Sequence, residues 1–199
     1  MSAPVKIGGH ARSRIVGLAA AVTIASLAPG ARADVELGAV AGAAAYASTW
    51  RGDFGGGGTL RAGARFEHVI AVDFQGWESL ATVNRRMNTG LSLGVTGYLP
   101  LRAFHPYARL FGIHQHEEGL VSVANAPAGI LFGIGAGIRH RAGGGLSLGA
   151  EIPLGTNANK RLEWLGFVDV TTMYFPDDTL GPHTYVGLNF GVGFDYLLK

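Results

Sequence analysis

Between Thr184 and Leu198 the chain alternates without a break. Thr184, Val186, Leu188, Phe190, Val192, Phe194, Tyr196 and Leu198 share one parity; Tyr185, Gly187, Asn189, Gly191, Gly193, Asp195 and Leu197 share the other. A period of two puts successive side chains on opposite faces of an extended strand. One face is therefore apolar and ends in aromatic residues, while the other is mostly glycine with a few polar groups. A chain that closes this way is committed to a sheet with one greasy face and one narrow polar face.

The same split recurs upstream. Leu60, Ala62, Ala64 and Phe66 alternate with Arg61, Gly63, Arg65 and Glu67, and Ile70, Val72 and Phe74 alternate with Ala71, Asp73 and Gln75. These patterns predict eight strands, over Val35–Tyr46, Thr59–Glu67, Ile70–Trp77, Gly90–Leu101, Tyr107–His116, Ile130–Arg139, Leu146–Leu154 and Thr184–Leu198. Leu162–Phe175 also reads as extended, but a ninth strand would need a tenth, so it is assigned to a hairpin within the last long loop.

A soluble sandwich or lipocalin-like barrel would turn the apolar face inward, and a membrane barrel would turn it toward lipid. Glycine and pairable charge on the polar face fit a narrow lumen better than a water-facing surface. The predicted strand lengths are close to the roughly 9–11 residues that a tilted membrane strand needs. The predicted connections also alternate in length. Ala47–Gly58, Glu78–Thr89, Glu117–Gly129 and Gly155–His183 are long, whereas Glu67–Val69, Arg102–Pro106 and His140–Gly145 are short. Tight turns at one end and longer loops at the other are characteristic of outer-membrane barrels. The expected fold is an eight-stranded antiparallel transmembrane up-and-down β-barrel.

The N-terminus supplies a route to such a membrane. Lys6, Arg12 and Arg14 precede an apolar run from Ile15 to Pro29, and Ala31-Arg32-Ala33 offers a small-x-small cleavage site. Residues 1–33 are expected to be a cleaved signal peptide, with 34–199 as the outer-membrane barrel domain. Removing Lys6, Arg12, Arg14 and Arg32 from the 16 basic residues leaves 12 against 14 acidic ones. The basic balance of the precursor is thus no argument for nucleic acid binding. Cysteine is absent, which excludes disulfides, thiolate metal sites and a lipidated N-terminal cysteine.

On these features, and on the closing run from Val186 to Leu198, the chain resembles the small outer-membrane barrels of the OmpA-like superfamily. That resemblance implies insertion by the outer-membrane assembly machinery through the C-terminal strand. The family's closing strand typically ends on an aromatic residue, whereas this one ends Leu198-Lys199. A peptidoglycan-binding domain found in larger members is not expected here.

Several residues are candidates for chemistry. Glu36, Glu67, Asp73, Glu151 and Asp195 face Arg61, Arg65, Arg109 and Arg139 across the predicted lumen and are expected to form a structural ion-pair network. Eight strands enclose a bore that side chains can fill, so an open pore is not expected. His114, His116 and Glu118 are spaced like metal ligands on one face of a strand, but parity relative to Arg109 puts them on the outer wall, and no metal or other cofactor is assigned. A lipid A-modifying enzyme would need a serine and a histidine base at the rim. Ser79, Ser122, His114, His116 and His183 lie there without a linking motif, so no catalytic residue is assigned. Gly55–Gly58 reads as a flexible loop. Trp50, Trp77, Trp164, Tyr46, Tyr98, Tyr107 and Tyr196 are expected in the aromatic belts at the two membrane interfaces. The expected role is structural or surface interaction, with membrane lipid and lipopolysaccharide as partners.

Overall fold

A computed structural model describes residues 34–48, 53–120, 129, 132–134, 137–176 and 183–198. The predicted signal segment 1–33 lies outside the described residues, as do Trp50 and Ser122. Eight antiparallel strands form one closed barrel in which each strand pairs with its neighbours in sequence: β1 (Val35–Ser48), β2 (Phe54–Phe66), β3 (Ile70–Ala81), β4 (Arg86–Tyr98), β5 (His105–Gly119), β6 (Arg139–Thr156), β7 (Leu162–Phe175) and β8 (His183–Leu198). The closing seam runs from Val35 opposite Leu198 to Ser48 opposite Tyr185.

Parity sorts the wall into two faces. Leu93, Leu110, Leu148, Val170, Phe190 and Val192 are among many large apolar side chains exposed on the outside. Arg61, Arg65, Asp73, Arg109, Glu151, Asp169 and Asn189 are buried inside. A water-soluble monomer rarely exposes one apolar patch beyond a few hundred Å², so a continuous apolar belt around a charged interior is the surface of a barrel that sits in lipid. The strands close on themselves and leave no edge with unpaired backbone groups, which lipid requires.

The count of eight holds, but two strand assignments change. Of Ile130–Arg139, the described residues before Arg139 are not in a strand but in the β5–β6 connection, where Ile134 N donates to Gly129 O across 2.8 Å. Leu162–Phe175 is the seventh strand, paired along its length with β6 and β8. The segment His140–Gly145, expected as a turn, lies within β6. Its glycines mislead because they serve packing: a Cβ on Gly143 would fall 2.7 Å from the Phe175 ring, and one on Gly145 would strike the Phe111 ring. Gly55–Gly58 is likewise within β2, opposite Ala43 to Tyr46 of β1.

Consequently most connections at the far end are shorter than expected. Residues 67–69, 99–104 and 157–161 join strands at the end carrying the chain termini, and 49–53, 82–85, 120–138 and 176–182 join them at the opposite end. At 67–69 Val69 N donates to Phe66 O over 3.1 Å, with Glu67 at φ 51° and His68 at φ 58°. Positive φ at both central positions is the type I′ turn that matches strand twist. At the opposite end Asp53 ties two connections together, accepting from Phe54 N at 2.8 Å and Val83 N at 2.9 Å.

Candidate functional site

The interior is built from inward parity on all eight strands. Near the end carrying the termini, Arg65 of β2 sits among three carboxylates. Its Nη1 is 2.9 Å from Asp195 Oδ2 and 3.7 Å from Glu36 Oε2, and its Nη2 bonds Glu151. Glu151 also accepts from Arg61 Nη2 at 3.1 Å and from the Tyr98 hydroxyl at 3.1 Å. The Arg65 guanidinium lies over the Tyr98 ring at 3.9 Å.

At mid-barrel Arg109 Nε donates to Asp73 Oδ1 at 2.6 Å, and Thr96 Oγ1 donates to Asp73 Oδ2 at 2.6 Å. Asp169 accepts from Tyr107 at 2.7 Å and from Asn189 Nδ2 at 2.6 Å. Beyond this polar layer an aromatic layer fills the bore: Tyr46, Trp77, Phe111, Met173, Phe175 and Tyr185 form one buried cluster. At the far mouth Glu117 is ringed by Arg86, Arg141 and, at 3.9 Å, Arg139.

The predicted network residues fall into three places. Glu36, Arg61, Arg65, Asp73, Arg109, Glu151 and Asp195 are in the interior. Arg139 is at the far mouth, with its side chain 38% exposed. Glu67 is not in the interior at all: it occupies the β2–β3 turn, where its Oε1 accepts from Asp34 N at 3.2 Å. A left-handed turn residue leaves the strand alternation, which is why parity misplaced it. Asp169, Arg141 and Glu117 lie in segments whose sequence reads as loop, turn and loop, so strand parity gives no signal for them.

Four residues expected in the aromatic belts lie inside the barrel instead. Tyr46, Trp77, Tyr98 and Tyr107 are buried inside, and the Tyr46 and Trp77 rings lie 4.8 Å apart. Interior glycines make room for them: a Cβ on Gly90 would strike Trp77, and one on Gly187 would strike Tyr46. Trp164 and Tyr196 do face outward, with Trp164 edge-on to Phe194 at 6.1 Å.

Among the described rim candidates, Ser79 and His183 are both buried on the inward side of their strands, β3 and β8. His114 and His116 have outward parity on β5. The outward histidines instead meet His140 of β6, which is the direct register partner of His116. Candidate donor atoms on His114, His116 and His140 all lie within 4.8 Å of one another, and His114 Nε2 is 3.3 Å from His140 Nδ1. Glu118 is not part of this group.

No protein-family model and no curated protein matches the chain. Among solved structures, Neisserial surface protein A aligns with a TM-score of 0.51 at 14% identity, covering 81% of this chain and 96% of that one. Further matches are Ail of Yersinia pestis, at TM-score 0.48 and 13% identity over 81% of this chain and 98% of that one, and OprG of Pseudomonas aeruginosa, at TM-score 0.46 and 13% identity over 82% and 96%. The chain has the fold of a small outer-membrane barrel. At these identities the likeness extends to the fold alone.

Proposed function

We propose that this protein is exported to the bacterial outer membrane, where it acts as a closed barrel through its surface rather than through its bore. The end bearing both termini then faces the periplasm. The connections 49–53, 82–85, 120–138 and 176–182 face outside, where they meet lipopolysaccharide and external partners. Strand β8, with its outward row from Val186 to Leu198, is the segment the assembly machinery would engage.

The observation that supports this reading is the filled interior. Arg61, Arg65 and Glu151 cross the bore near one end, and Tyr46, Trp77 and Phe175 pack it toward the other. A solute would have to break buried ion pairs to pass. The test is fractionation followed by conductance. The mature protein, beginning at Asp34, should be recovered from the outer membrane only with detergent and should give no discrete currents in a planar bilayer. Recovery in the soluble periplasm would overturn the location, and steady channel currents would overturn the closed bore.

A further inference from the structure

We propose that His114, His116 and His140 form a transition-metal site on the outer wall of the barrel, of the imidazole-rich kind that takes zinc(II). The proposal holds whatever the barrel contacts outside the cell. Strand pairing assembles the ligands: His116 sits directly opposite His140, and His114 is two residues along the same face of β5. All three lie toward the far end of the barrel, on a wall whose outward positions are elsewhere largely apolar.

The spacing suits a metal ion. Bonds of about 2.0–2.1 Å in tetrahedral geometry place neighbouring donor nitrogens about 3.4 Å apart. His114 Nε2 and His140 Nδ1 are already 3.3 Å apart, and the full set lies within 4.8 Å. The rings are 4.8, 4.9 and 5.5 Å apart between centroids, so small χ rotations bring the third nitrogen in. Neutral imidazole suits zinc(II), copper(II) and nickel(II) rather than calcium or magnesium.

Gly133 adds a second observation. It has φ +65°, and a Cβ there would fall 2.6 Å from His116 Nε2 and 2.8 Å from His140 Cε1. The β5–β6 connection therefore passes over the histidines at a residue that puts no side chain of its own between the two rings. A metal ion bonded to His116 would use such a space. The wall is also covered here: outward-facing His116 is only 5% exposed, and the next outward residue, Glu118, is buried with its Oε2 lacking a hydrogen bond. A cation beside the histidines would offset that carboxylate, and three ligands leave a fourth position for water.

The experiment uses the tag-free full-length mature chain folded in detergent micelles. Zinc(II) is titrated calorimetrically, and cobalt(II) is followed by its visible absorption, which is intense only when coordination is tetrahedral. One equivalent of zinc should bind, and cobalt should give the tetrahedral spectrum. His116→Ala and His140→Ala should each weaken zinc binding about tenfold or more, a loss of at least one factor of ten in Kd. His68→Ala, in the β2–β3 turn at the opposite end, should leave binding unchanged. His114 is exposed, so His114→Ala folds regardless and carries the test if His116→Ala does not reach the heat-modifiable form. Absence of stoichiometric binding, or equal binding by the parent and His114→Ala, would overturn the site.

Discussion

Tyr46 and Asn189 meet inside the barrel beside the seam between its first and last strands, where the Tyr46 hydroxyl donates to Asn189 Oδ1 over 2.7 Å. The amide of Asn189 in turn donates to Asp169 Oδ1 on β7 at 2.6 Å and to Thr171 Oγ1 at 3.1 Å. One asparagine thus links three strands by acting as acceptor and donor at once.

Asn189→Asp tests that dual role. Sequence alone suggests a mild effect, with Arg61 or Arg139 nearby to pair with a new carboxylate. The structure places Asp169 there instead, so the change removes a donor and sets two carboxylates together. A loss of roughly 1–3 kcal/mol is expected for the unsatisfied buried acceptor. Urea unfolding from lipid vesicles measures the loss.

Glu151→Gln should be costly because two guanidinium groups share that carboxylate. Removing one partner of a buried ion pair leaves uncompensated charge and costs about 3–5 kcal/mol. Glu67→Gln, in the exposed turn, should change the unfolding free energy by less than about 0.5 kcal/mol. Equal effects would show that Glu151 does not hold the interior together.

Val192→Arg probes the opposite face. Val192 is 61% exposed on the lipid side, near the middle of β8. A charge there costs roughly 2–4 kcal/mol at the bilayer midplane. Against a typical folding free energy of about 5–15 kcal/mol, the loss should be visible as a smaller heat-modifiable fraction on a gel after folding into vesicles. A soluble barrel would tolerate the same change.

Orientation can be read by thiol labelling on intact cells. A cysteine at Val83, exposed in the 82–85 connection, should react with an impermeant reagent. Cysteines at Phe104 and Asn159 should be protected, because both lie in turns at the end carrying the termini. The reverse pattern would invert the barrel in the membrane.

Much of this architecture was legible in parity. The outward row of β8 and the inward placement of Arg61, Asp73, Arg109 and Glu151 follow from counting by two. Trp77 and Tyr98 were legible as well, since each shares parity with inward neighbours, but their residue type pointed to an interfacial belt. What misled was glycine. In Gly143–Gly145 and Gly55–Gly58 it looked like turn or loop, yet in this barrel it is the small partner facing large rings or a neighbouring strand's backbone. His140 could not be joined to His114 and His116 until the register of β5 against β6 was known.

The seam has a consequence for biogenesis. β8 supplies hydrogen-bond partners to both β7 and β1, so neither of those edges can be satisfied until β8 has arrived. A chain whose β8 has not yet paired therefore carries two adhesive borders and a greasy outer face at the same time, the conditions under which strands pair with the wrong neighbour. Contacts spanning nearly the whole chain also form slowly. On the route to the outer membrane proposed above, such a chain would call for an escort that shields it while it waits, and a catalyst that presents β1 and β8 to each other within lipid.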